Sequence, residues 1–112
     1  MAQYTNHFNV NFDRLLAYIE ESVLKGSVSA SREGGCVFES DGTRCVTRVY
    51  ERYSVLGSNR LSLSVTLFGK NGDVRLCAIT SGGSQAMFFK INTWGEDAFL
   101  EKFIRQLEAY RE

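Results

Sequence analysis

The sequence predicts a two-layer α+β sandwich. An antiparallel sheet of five or six strands is covered on one face by an N-terminal and a C-terminal helix. Two observations carry this. Apolar residues recur at helical spacing near both ends of the chain, and between them lie alternating segments punctuated by glycine dipeptides that suit tight hairpins. A third is the agreement of two registers. A turn at Asn71-Gly72 sets Leu67 opposite Leu76, Val65 opposite Ala78 and Leu63 opposite Thr80. A turn at Gly82-Gly83 sets Ala78 opposite Met87, Leu76 opposite Phe89 and Val74 opposite Ile91. Both send the same side chains to one side, whereas a slip of one residue would scatter them.

The chain of 112 residues reads as one domain, with 1–10 as a flexible tail carrying Tyr4, His7 and Phe8. Asn11 suits a helix N-cap, and Phe12, Leu15, Leu16, Ile19 and Val23 form an apolar stripe that ends at Lys25-Gly26. Ser27–Glu33 alternates weakly and reads as an irregular edge strand broken by Gly34-Gly35. Cys36–Ser40 and Thr43–Tyr53 then form a hairpin around Asp41-Gly42, pairing Phe38 with Cys45 and Cys36 with Thr47. Cys36, Phe38, Cys45 and Val49 are assigned to its core side, and Arg44, Val46, Arg48, Tyr50 and Arg52 to the other. The register across 54–59 is left open. Leu61 to Ile91 make the three-stranded centre. Thr93-Trp94-Gly95-Glu96 fits a capping box that opens a helix whose apolar face is Phe99, Leu100, Phe103, Ile104, Leu107 and Tyr110.

Composition narrows the function classes. Thirteen basic and thirteen acidic residues cancel, so no overall field draws the molecule to nucleic acid or anionic lipid. No apolar run reaches membrane-spanning length, and the polar start lacks a signal-peptide core. Three cysteines without CxxC spacing fit a reduced, cytoplasmic setting.

Candidate chemistry is sparse. Thr80–Gln85 is rich in glycine and hydroxyls, but a phosphate cradle needs a helix and a lysine after the glycines; a hairpin accounts for the segment. His7 stands alone on the tail, no His/Cys cluster has metal-ligand spacing, and no general base accompanies Cys77. Catalytic, cofactor and metal residues are therefore assigned to none, and the protein is expected not to be an enzyme. Arg44, Arg48, Tyr50 and Arg52 have the basic-aromatic make-up of a single-strand platform, which the neutral charge and the lack of an RNP string oppose.

What remains is a surface. The reverse side of the central strands carries Phe68 beside Arg75 and Lys90, Thr66 beside Cys77 and Phe88, and Ser64 beside Ile79 and Ala86. That is too apolar for a bare sheet face. Phe68, Arg75, Cys77, Ile79, Phe88 and Lys90 are assigned to an interface, in a homodimer or with another protein. The alternative is a carrier holding a small apolar ligand between the sheet and the C-terminal helix.

The string Ala78-Ile79-Thr80-Ser81-Gly82-Gly83-Ser84-Gln85-Ala86, followed by Phe88-Phe89-Lys90-Ile91-Asn92-Thr93 and taken with the Asn6–Ile19 start, resembles a family of small uncharacterised bacterial proteins known as a domain of unknown function. The resemblance spans nearly the whole chain. It implies a cytoplasmic single-domain protein and brings no activity, cofactor or catalytic residue.

Overall fold

The computed structural model describes residues 2–53, 59–82 and 89–112, with side chains in the last segment from 98 onward. In chain order the elements are β1 (Ala2–Phe8), α1 (Phe12–Lys25), β2 (Ser31–Ser40), β3 (Thr43–Tyr53), β4 (Arg60–Lys70), β5 (Asp73–Gly82) and α2 (Phe89–Glu108). The five strands form one antiparallel sheet in the order β1-β5-β4-β3-β2. Both helices lie on one side of it. Phe12, Leu15, Ile19 and Val23 of α1 and Phe99, Leu100, Phe103 and Leu107 of α2 are buried with Leu61, Leu63, Val65 and Leu67 of β4. Each such aliphatic or aromatic side chain contributes roughly 1.5–3 kcal/mol by leaving water. This is the α+β arrangement that the two apolar stripes predict.

Both described hairpin registers agree with the turn dipeptides. Leu67 pairs with Leu76, Val65 with Ala78 and Leu63 with Thr80, while Phe38 pairs with Cys45 and Cys36 with Thr47. The turns differ in kind. Asp41 and Gly42 both have positive φ, 53° and 82°, as a primed turn requires. At Asn71-Gly72 only Gly72 does (φ 86°), and Gly69 two residues before the turn lies at φ 134°. The Asn71 side chain is used elsewhere: its Oδ1 accepts the Phe12 N–H at 2.9 Å, and Gly72 N–H donates to the Val10 carbonyl at 2.8 Å.

The third central lane belongs to a different segment. The other neighbour of β5 is β1, with Tyr4 opposite Ala78, His7 opposite Arg75 and Phe8 opposite Val74. Residues expected to form a flexible tail are therefore an edge strand. β1 thus fills the lane expected for a third central strand. Phe89, Lys90 and Ile91, expected in a strand, belong to helix α2, and so does the expected cap Thr93. The second turn at Gly83, together with Ala86, Met87 and Phe88, lies outside the described residues.

Two expectations for the first hairpin are corrected. Gly34-Gly35 does not break the strand: β2 runs through it with a bulge between Arg32 and Gly34. The sides of β3 are also reversed. Val46 pairs with Leu67, Arg48 with Val65 and Tyr50 with Leu63, so Arg44, Val46, Arg48, Tyr50 and Arg52 face the helices. Val46 and Tyr50 are buried, and Phe38 is exposed on the opposite side. The cause is the register to β4, which the local alternation of β3 does not contain.

Helix α1 begins as its sequence suggests, with the Asn11 side chain accepting the Arg14 N–H at 2.9 Å. It ends at Gly26, where a side chain would crowd the Ser22 carbonyl and the Lys102 and Gln106 side chains. Lys102 Nζ donates to the Gly26 carbonyl and Gln106 Nε2 to the Ser22 carbonyl, so α2 satisfies the end of α1. No helix among the described residues is long and apolar enough to cross a membrane.

Candidate functional site

Strand alternation gives the sheet a second face, against which no described side chain of either helix packs. Its side chains align in rows across all five strands. One row reads His7, Arg75, Phe68, Cys45, Phe38; the next reads Thr5, Cys77, Thr66, Thr47, Cys36; a third reads Gln3, Ile79, Ser64, Val49, Gly34. Of the six residues assigned to an interface, Phe68, Arg75, Cys77 and Ile79 come together here. Lys90 belongs to α2 and not to a strand, and Phe88 is outside the described residues.

The face is mixed in character. Phe38 is 69% and Phe68 49% exposed, flanking the half-buried Cys45. Hydroxyls bridge between strands, Thr47 to Thr66 at 3.3 Å and Ser62 to Ser81 at 2.7 Å. Beside Phe68 an open depression of about 560 Å³ is lined by Thr5, His7, Thr66, Phe68, Arg75 and Cys77, among others. All three free cysteines point to this face, Cys36 exposed and Cys45 and Cys77 partly buried.

His7 is fixed in place. Its Nε2 lies 2.6 Å from Asp73 Oδ1, which ties β1 to the β4–β5 turn. Sequence reasoning missed this, because the contact depends on β1 pairing with β5. On the ladder His7 is diagonal to Cys77, and no hydrogen bond joins the two among the described residues. A thiol, an imidazole and a carboxylate thus share one face without the direct nucleophile–base contact that acyl-transfer chemistry uses. No group of three His, Cys, Asp or Glu side chains that could hold a metal ion occurs among the described residues.

The basic strip on β3 is consumed on the helix side. Glu20 of α1 accepts from Arg32 at 3.2 Å, Arg48 at 3.1 Å and the Tyr50 hydroxyl at 3.1 Å. Burial is the main reason that the Tyr50 pKa is pushed up to about 12. Arg44 lies over the Phe12 ring at 4.2 Å and reaches Asp13 at 2.8 Å. Arg52 lies over Phe99 at 4.3 Å, and burial lowers its pKa from the usual arginine value. Arg44 and Arg48 meet carboxylates of α1, while Arg52 rests on the Phe99 ring with its buried Nε unpartnered among the described residues; all three lie on the helix side, so they make no common basic surface with Arg75. Among the described residues, the space between the two helices and Arg52, beside Phe99 and Phe103, is about 10 Å³.

A family model with the description "Family of unknown function (DUF6054)" matches residues 1–111. No curated protein and no solved structure matches the chain.

Proposed function

Since this chain belongs to that family of unknown function, we propose from its own geometry that it is a non-enzymatic interaction module whose helix-free sheet face docks a protein partner. One observation carries the reading: Phe38, largely in solvent, and Phe68, half exposed, stand on either side of Cys45 and form an apolar row across β2, β3 and β4. Such a row has the make-up of the centre of a protein interface, and the surrounding threonines, serines, Gln3, His7 and Arg75 that of a polar rim.

The same reading has no catalytic residue and no cofactor, and takes neither nucleic acid nor membrane as its partner. A cytoplasmic setting belongs to it, since three thiols, none in a disulfide, suit a reducing compartment. The carrier alternative is less well supported, because Phe99, Phe103 and Leu107, which would line such a pocket, are buried in the core with Leu61, Leu63 and Leu67.

The test is gel filtration of tagged protein from a cell extract, as wild type and as Phe68→Asp. The wild type should elute above the mass that the purified protein shows alone, and the variant, with unchanged circular dichroism, at that mass. Elution of both at the mass of the purified protein alone would remove the reading.

A further inference from the structure

The face is not the only unpaired surface. At one end of the sheet, β2 hydrogen-bonds to β3 on one side, and among the described residues its other edge is open. From Arg32 to Ser40 its residues are exposed on both faces. Val37, on the helix side, is 61% exposed and Phe38, on the reverse, 69%. The strand therefore stands beyond the helix layer. From Gly34 to Ser40 its edge has no proline and no lysine to discourage pairing.

Gly34 adds a second observation. Its φ is outside the positive range, and a Cβ there would meet nothing within 4 Å. Nothing within the single chain requires glycine at this position. Gly35 beside it is different, since a side chain there would strike the Thr47 carbonyl.

We propose that a second copy of this chain pairs antiparallel along the open edge of β2, about a two-fold axis through Cys36. In that register Cys36 faces Cys36 of the second copy, and each Gly35 lies opposite a Val37. Each Gly34 lies opposite a Phe38, whose ring occupies the space the glycine leaves. The bulge at Glu33 shifts the next pair by one, so that Arg32 meets Glu39. Arg32 and Glu39 are both on the helix side, as their partners Tyr50 and Arg44 on β3 show, so the charges come together on one face. Each contact occurs twice by symmetry. The strand is complementary to itself in charge, in size and in side-chain direction. Glu39 has no ion-pair partner among the described residues, and this arrangement supplies one.

The axis is perpendicular to the sheet, so both helix layers fall on one side. The two bare faces fuse into one continuous surface on the other. The proposal concerns the strand edge and stands whether or not the bare face takes a partner.

Sedimentation velocity at micromolar concentration tests it, with circular dichroism as the check on folding. Wild type should be a dimer. Gly34→Val, which the open space around Gly34 accommodates, should weaken association about tenfold or more. Glu39→Arg and Arg32→Glu should each be monomeric alone and form a one-to-one dimer when mixed. In a Cys45→Ser, Cys77→Ser background, a short bis-maleimide should link two copies through Cys36. A monomeric wild type overturns the proposal, as does a dimer indifferent to Gly34→Val and the charge exchange. A dimer lost with Phe68→Asp but kept with Gly34→Val overturns it while supporting the face as the docking surface.

Discussion

Asn71 Oδ1 accepts the backbone N–H of Phe12 at 2.9 Å, so the tip of the central hairpin caps the helix that packs beneath it. Asn11 caps the same helix from within the chain by accepting the Arg14 N–H. Two of the N–H groups left over at the start of α1 are thus met by two asparagines sixty residues apart in sequence. Asn71→Ala should cost about 1–2 kcal/mol in urea unfolding, and Asn71→Asp, which keeps the acceptor, should cost much less. Equal losses for the two would show that the cap is not the reason for asparagine.

The Glu20 carboxylate gathers Arg32, Arg48 and Tyr50, and so ties α1 to the hairpin arm. Glu20→Ala leaves two guanidinium groups and a buried hydroxyl without their acceptor. The expected loss is about 1–3 kcal/mol. A double-mutant cycle with Arg48→Ala should show coupling between the two positions. Simple additivity would contradict the bridge.

Tyr50 gives the pH dependence a direction. Its folded pKa, about 12, lies above the ordinary tyrosine value of about 10. Between those values the folded chain holds a proton that the unfolded chain has released. Stability is therefore complete below pH 10 and falls as pH rises toward 12, by on the order of 2 kcal/mol. Tyr50→Phe should flatten that part of the profile. Alkaline unfolding unchanged by the substitution would exclude Tyr50 as its source.

Gly69 occupies φ 134°, and a side chain there would run into the Asp73 carbonyl across the ladder. Gly69→Ala should therefore lower stability by about 1–3 kcal/mol or more. Gly34→Ala, with open space around it, should change monomer stability by less than about 1 kcal/mol. Comparable thermal shifts in the two variants would contradict this contrast.

The parts legible from sequence are those set by short-range chemistry. Asp41-Gly42 and Asn71-Gly72 fixed their hairpin registers because two residues determine each turn, and α1 and the later turns of α2 follow from stripes such as Phe12, Leu15, Ile19 and Phe99, Phe103, Leu107. The pairing of β1 with β5 was hidden because Ala2–Phe8 is polar enough to pass for a tail. Its alternation of Ala2, Tyr4 and Phe8 toward the core is the signal that was available. The side taken by β3 was hidden because Val46 and Tyr50 share it with three arginines, while Cys45, Thr47 and Val49 look no less apolar. Only pairing with Leu63, Val65 and Leu67 decides it. The interface candidates divide along the same line: Phe68, Arg75, Cys77 and Ile79 lie within one well-marked hairpin, and Lys90 followed a strand that β1 displaces.

The bare face carries its own reporters, since Cys45 and Cys77 lie among the residues that a docked partner would cover. The most direct test is the rate at which a cell-permeable maleimide labels these two thiols in living cells, compared with dilute purified protein and read by mass spectrometry. Labelling of both should be several-fold slower in cells and return to the purified rate with Phe68→Asp. Equal rates in the two settings would contradict the claim that this face is occupied.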